Sequence, residues 1–330
     1  MTKVDEIRAL WADLANVPAG GRQWRARRIE GTSPLQRYAA LRQEDNALTV
    51  IFESSGHDAP PTRIRFEADG LSIIEQRDFE RRSYRAVVSL ERIELREVFE
   101  VLAADLVDVV DGGGRIEGAW HLLTTRLDAW QACLRLRSRG LGREAQIGLI
   151  GELVCLSQIA DVSGYGSTVL AWQGPARGLH DFVFSSIDFE IKTAAGADGR
   201  IHVSSVDQLD IPDASRLVIL RPRLLPTTNG WTLPELVATV RSSVAKHAPT
   251  VSADLEMALL RAGYLDVDAH LYGERFDVAE FYGYEVLEGF PCLTRATIPS
   301  AVVDASYLLD ERSLTQFRRD GASLRTLLTL

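Results

Sequence analysis

Lysine is nearly absent from this chain. Of its 37 basic residues, only Lys3, Lys192 and Lys246 are lysines. A compact ammonium is therefore confined to three positions, and arginine carries the rest of the positive charge. Cysteine is scarce as well: Cys133, Cys155 and Cys292 are scattered and odd in number. With no Cys-x-x-Cys pair, a zinc ribbon or a disulfide scaffold is not expected. The six histidines contain no His-x-x-x-His pair, which argues against a zinc-hydrolase site. No Gly-x-Gly-x-x-Gly and no Walker A string occurs, so nucleotide binding has no local support. Ser204-Ser205 lacks the surroundings of a nucleophile elbow. The sequence opens without an apolar signal core and holds no uninterrupted apolar run of membrane-spanning length. These absences lead us to expect a cytoplasmic protein with no membrane partner.

Size and composition leave ordinary globular options. With 330 residues, 46% hydrophobic and 25% charged, the chain has room for two domains and a large core. A net charge of −9 disfavours a blanket nucleic-acid coat but leaves room for a local basic groove. Arginines cluster twice: Arg22, Arg25, Arg27 and Arg28 surround Trp24, and Arg135, Arg137, Arg139 and Arg143 form a second group. Each cluster reads either as a phosphate-contacting surface, with Arg25 and Arg27 as candidate substrate contacts, or as a solvated charged face. The tryptophans read as core or interface anchors, with Trp24 the one candidate for stacking on a base.

Periodicity divides the chain. Residues 2–15 carry Ile7, Leu10, Trp11 and Leu14 at helical spacing. Ala47–Phe52, Thr62–Phe66 and Leu71–Gln76 read as strands of a small sheet. Residues 90–110 read as a helix, and Asp111-Gly-Gly-Gly-Arg115 then marks either a boundary or a long turn. Helices follow over 116–137 and 143–159, the second with Glu152 embedded among apolar residues. Thr168–Trp172 is strand-like, Asp181–Phe184 and Ile187–Thr193 form a hairpin around Ser185-Ser186, and Ile201–Ser204 and Leu217–Leu220 are further strands. Asn229-Gly230 signals a hairpin turn. Leu233–Lys246 is a helix with Thr232 near its cap, a shorter helix runs from Ser252 to about Gly263, and late strands include Phe281–Val286. The expected division is 1–112, a β-rich N-terminal domain for DNA or partner recognition; 113–250, a core; and 251–330, a C-terminal α+β extension packed on that core.

The hairpin string Asp181-Phe-Val-Phe-Ser-Ser-Ile-Asp-Phe-Glu190-Ile-Lys192 carries the chemistry. Residues two apart on a strand share a face, so Asp188, Glu190 and Lys192 point one way and Phe189 and Ile191 the other. Asp181 and Glu190 would offer Mg²⁺ hard oxygen ligands, with the backbone carbonyl of Ile191 as a third. Lys192 would orient an attacking water or help remove its proton. Glu152, on a helix packed beside the hairpin, would reach the metal directly or through a water. Gln208 would line the site, and His180 would either touch a phosphate or pack. On pattern alone, the alternative is a hairpin whose outer face is simply charged and wet.

At these residues the chain resembles the PD-(D/E)XK nuclease superfamily, and more closely a bacterial "PD-(D/E)XK motif protein" family associated with restriction and phage-defence genes. The stretches that carry the resemblance are Ile147–Leu153, Trp172–Pro175, His180–Phe182, Glu190–Thr193 and Val206–Leu209, with weaker similarity at Leu260–Tyr264 and from Tyr284 to Pro291. The position before the first acid is His180 rather than proline. The resemblance implies an α/β, restriction-endonuclease-like core, a mixed central sheet flanked by helices. It also implies a Mg²⁺-dependent DNA endonuclease, with Mn²⁺ able to substitute. Asp181 and Glu190 would be metal ligands, Lys192 the catalytic lysine and Glu152 the helix acid. A methyltransferase or other defence protein and a second copy of the chain are the partners to expect besides DNA. A non-cleaving DNA-binding or scaffold subunit of a defence complex is the alternative.

Overall fold

A computed structural model describes residues 2–18, 20, 23–55, 64, 66, 68, 70–78, 82–135, 140–173, 179–196, 199–210, 216–295, 297–299 and 301–329. The chain divides into two compact units, 1–136 and 137–330.

The first unit contains α1 (Lys3–Ala15), β1 (Trp24–Ile29), β2 (Gln36–Arg42), β3 (Leu48–Ser55), β4 (Leu71–Asp78), β5 (Ser83–Leu90), α2 (Arg96–Val109) and α3 (Ile116–Arg135). Thr2 opens α1 through a capping box: its hydroxyl accepts from Asp5 N, while the Asp5 carboxylate accepts from Thr2 N. The strands form one antiparallel sheet in the order β1-β2-β3-β5-β4. The strand expected at Thr62–Phe66 falls largely outside the described residues. β1, β2 and β5 were not anticipated, because arginines occupy strand positions. Arg37 shows why such a residue is tolerated: it is buried, and its Nη1 donates to Val107 O (3.0 Å) and to Asp111 Oδ1 (2.7 Å).

The boundary expected at residue 112 moves to 136, and Asp111–Arg115 is a turn inside the first unit. Asp111 there accepts from Thr32 N and Ser33 N as well as from Arg37. α3 belongs to the same unit because Trp120 meets Tyr84 edge-on at 5.5 Å, and Trp130 Nε1 donates to Asp105 Oδ2 of α2 at 2.7 Å.

The second unit begins with α4 (Arg143–Ser163) and α5 (Tyr165–Ala171). Five strands follow: β6 (Phe182–Val183), β7 (Ile187–Ile191), β8 (Ala194–Ala195), β9 (Arg200–Val203) and β10 (Arg216–Trp231). After α6 (Leu233–His247) and α7 (Ser252–Arg261) come β11 (Phe276–Val286), β12 (Tyr307–Asp310), β13 (Arg318–Arg319) and α8 (Gly321–Leu328). The main sheet runs β13-β11-β10-β7-β6, with β10 and β7 parallel and their outer neighbours antiparallel; β8 adds to β10, and β9 pairs with β12. This is the mixed sheet flanked by helices expected from the sequence.

Both faces of the sheet are buried, with alternate residues serving two cores. Phe182, Phe189, Ile191, Val218 and Leu220 pack with α4, α6 and α7. Leu217, Ile219, Tyr282, Tyr284 and Val286 pack with Ile201, Val203, Leu309 and Leu314. α4 is long and apolar enough to cross a bilayer, but most of its apolar side chains fill the first of these cores.

Three local expectations are corrected. Thr168–Trp172 is mostly the helix α5, in which Thr168 Oγ1 donates to the Gly164 carbonyl at 2.8 Å and Val169 is buried; only Trp172 forms a β-bridge, to Phe182. Asn229-Gly230 joins no two strands. It lies in β10 where the register jumps, Phe276 pairing with both Pro226 and Trp231. Residues 251–330 are no appended layer, since β11 is the antiparallel partner of β10 inside the sheet. Between α4 and α5, Gly164 adopts φ 89°, a conformation that glycine reaches without strain.

Candidate active site

The site forms where β7 outruns its short neighbour. β6 has two residues, so beyond Phe189 the edge of β7 has no backbone ladder. Asp181 takes that place: its Oδ2 accepts from Ile191 N at 2.7 Å. A strand residue presents its N–H and C=O to the same edge, so the Ile191 carbonyl is turned toward the Asp181 side. Glu190 pairs with Ile219 and shares its face of the sheet, with Lys192 Nζ 2.9 Å from Glu190 Oε1. Glu152 arrives from α4, on the opposite face, and its Oε2 accepts from Trp172 Nε1 at 2.7 Å. The acids thus wrap the strand edge from both faces, with Asp181 between them.

Neutral partners fix the acids. Gln208 Nε2 donates to Glu190 Oε1 at 2.6 Å, while its own Oε1 accepts from Ser204 N (2.9 Å) and Ser204 Oγ (3.0 Å). Because a backbone N–H only donates, this sets the orientation of the amide. Gln208, expected to line the site, does so through a carboxylate. Of the two roles open to His180, the structure shows packing. It is buried, with Nδ1 2.9 Å from Asp188 Oδ2 and Nε2 3.0 Å from the Gln208 carbonyl. Both ring nitrogens are committed, so His180 braces the segment that carries Gln208 and is closed to a phosphate or a metal.

Electrostatics mark the same place. Burial, then the negative charge of Asp181, pushes Glu190 up to about 8 against the opposing ammonium of Lys192. Burial and Asp181 likewise push Glu152 up to about 8, with the Trp172 hydrogen bond opposing. Burial raises Asp181, opposed by the Ile191 N–H, Lys192 and His180. Three carboxylates, Glu190 buried and Glu152 and Asp181 half-buried, are all raised, with Asp181 acting on both of the others; with one ammonium among them they form a site short of positive charge.

The donor set suits Mg²⁺, being carboxylate and carbonyl oxygens without sulfur or free imidazole. Asp181, Glu190, the Ile191 carbonyl and Glu152 are the groups that would hold it. Among the described residues no three or more His, Cys, Asp or Glu side chains already stand in ligating array. Glu190 Oε1 is paired with Lys192 Nζ, and Asp181 Oδ2 with Ile191 N.

Arg25 and Arg27 belong to β1 of the first unit. Arg25 is half-buried and donates to the Val17 carbonyl and to Asn46 Oδ1, so it holds its own loop and is not a free phosphate contact. Arg27 is exposed. Arg22, Arg137 and Arg139 fall outside the described residues. Arg143 forks onto Glu274 at 2.7–2.8 Å. Sequence reading missed the roles of Trp172, Ser204 and Asp188, although Trp172 and Gln208 both lie within the stretches singled out there.

Gly151, next to Glu152, is a tight point. A Cβ there would lie 1.8 Å from Thr193 Oγ1 and 2.9 Å from Thr193 Cβ. Gly151→Ala gains up to about 1 kcal/mol of helix propensity, but overpacking costs about 1–3 kcal/mol and decides the sign. Net destabilisation is expected in urea unfolding, and an unchanged midpoint would show that Thr193 yields freely.

A family model described as "Putative PD-(D/E)XK family member, (DUF4420)" matches residues 7–311. Comparisons with curated proteins and with solved structures returned no match.

Proposed function

This chain belongs to the DUF4420 family and through it to the PD-(D/E)XK superfamily, and from that premise we propose that it is a Mg²⁺-dependent endonuclease that hydrolyses DNA phosphodiester bonds. The observation that carries this reading is the trio Glu152, Asp181 and Glu190, each raised above its ordinary range, with Lys192 Nζ against Glu190. The restriction and phage-defence setting of the family that the sequence resembles makes cytoplasmic DNA the substrate we propose.

The chemistry that Mg²⁺ would supply when bound is polarisation of the scissile phosphate, a lowered pKa of a bound water and an offset to developing charge. The chain's own groups do the rest. Asp181, from the bend before β6, and Glu190, from β7, would supply oxygens, and Glu152 would supply one from α4. Lys192 holds an ammonium against Glu190 Oε1, where it can orient a water and stabilise negative charge on a phosphate oxygen. Gln208 and Trp172 keep Glu190 and Glu152 from rotating, and burial excludes bulk water.

The test is incubation of the purified chain with supercoiled plasmid and Mg²⁺ or Mn²⁺. Nicking is expected, abolished by chelator and by Asp181→Asn. Nicking that persists unchanged in Asp181→Asn would end the enzyme reading of this site.

A further inference from the structure

Lys192 is placed by an arginine that the metal chemistry does not use. In a parallel ladder, Lys192 N donating to the Leu220 carbonyl (2.9 Å) requires the N–H of residue 222 to meet the Lys192 carbonyl. Residue 222 is proline and has no N–H. Proline inside a central strand normally costs a ladder bond. Here the neighbouring side chain supplies the donor: Arg221 Nη1 donates to the Lys192 carbonyl at 2.7 Å.

The guanidinium that does so is itself fixed. Arg221 is 3% exposed. Its Nη2 donates to the Arg200 carbonyl at 2.8 Å, and its Nε donates to Glu311 Oε1 at 2.8 Å. Glu311 Oε1 also accepts from the Tyr282 hydroxyl (3.1 Å), and Glu311 N donates to the Gly199 carbonyl (2.9 Å). Three acceptors around one planar fork define its orientation, which a lysine amine could not match. Beyond Lys192 the ladder resumes only at β8, where Ala194 pairs with Arg223. The peptide that carries the ammonium is thus held at both ends by bonds to β10, one of them made by a side chain.

We propose that Arg221, anchored by Glu311, is a positioning residue for Lys192. Its buried charge fixes the Lys192 peptide, so that the C-terminal segment which brings Glu311 governs the geometry of the site. The catalytic consequence rests on the endonuclease reading; the structural consequence does not.

Two measurements separate these. Amide exchange followed by NMR should show Lys192 in Arg221→Lys exchanging at least about tenfold faster relative to core amides of α4. Nicking kinetics, normalised to the number of Mg²⁺ sites titrated by calorimetry, should show kcat reduced at least about tenfold with KM within about twofold. Unchanged Lys192 exchange overturns the positioning role. Faster exchange with unchanged normalised kcat overturns its catalytic importance. Where Arg221→Lys fails to fold, Arg221→Met combined with Glu311→Leu removes both buried charges together, a change that buried pairs often tolerate, and the same readouts apply. If the wild-type chain itself does not nick, the endonuclease reading falls and the exchange result still decides the positioning role.

Discussion

Lys192→Ala is expected to lower plasmid nicking by about a thousandfold, the range lost when a positioned proton-transfer or charge-stabilising group is removed. The loss should appear in kcat. Lys192 contacts Glu190 through its side chain alone, while its backbone is held by Leu220 and Arg221, so truncation leaves the strand in place. The proposed metal ligands remain, and deleting an ammonium beside them removes a competing positive charge. Mg²⁺ affinity should therefore hold or rise while turnover falls. Lys192→Arg should fail to restore activity, because a planar, delocalised guanidinium cannot occupy the place of a compact ammonium. Equal nicking by wild type and Lys192→Ala, with metal binding intact in both, would remove Lys192 from the chemistry.

Stability should fall as pH rises in the metal-free protein. Glu152 and Glu190 titrate near 8 in the folded state against an ordinary value of 4.5, and Asp181 is raised as well. Between those values the folded state binds more protons than the unfolded one. The contribution of these groups is then fully present below about pH 4.5 and is lost as pH rises toward and through 8. Each such group contributes a slope of about 1.4 kcal/mol per pH unit inside the window. In calorimetry of the whole chain, the transition of the second unit should drop by on the order of 10 °C between pH 5.5 and 8.5. Mg²⁺ should reverse part of the drop at pH 8.5, since it binds the ionised carboxylates and adds about 2.7 kcal/mol at a hundredfold excess over its Kd. Glu190→Gln should flatten the pH dependence and weaken the Mg²⁺ response. A transition temperature that is level or rising across this range would contradict the raised carboxylates.

Legibility along the chain follows the range of the forces. α1 and α6 were readable because caps are local: Thr2 with Asp5, and Thr232 with Glu235 behind Pro234. β7 was readable because Phe189 and Ile191 alternate with Glu190 and Lys192. β1 and β2 were not, since a strand containing arginine reads as surface until Val107 and Asp111 are seen to hold Arg37. Thr168–Trp172 misled for the opposite reason: its β-branched residues favour a strand, and a hydroxyl returning to the Gly164 carbonyl with burial of Val169 made a helix. The glycines at 112–114 suggested a boundary, yet packing of Trp120 and Trp130 carried the first unit on to residue 136.

The order of residues alone determined which side chains the proposed chemistry draws on, because an acid beside β6, a Glu-x-Lys string on β7 and a helix acid are each written in a short stretch whose local periodicity sets its faces. Tertiary structure alone decided how those groups are held. Gln208 on Glu190, Trp172 on Glu152, His180 between Asp188 and a carbonyl, and Arg221 beneath Lys192 join residues separated by 8 to 29 positions. Those contacts depend on desolvation, on a donor left unpaired by β6's brevity and on an acceptor left unpaired by Pro222, conditions that exist only once the sheet has closed around them.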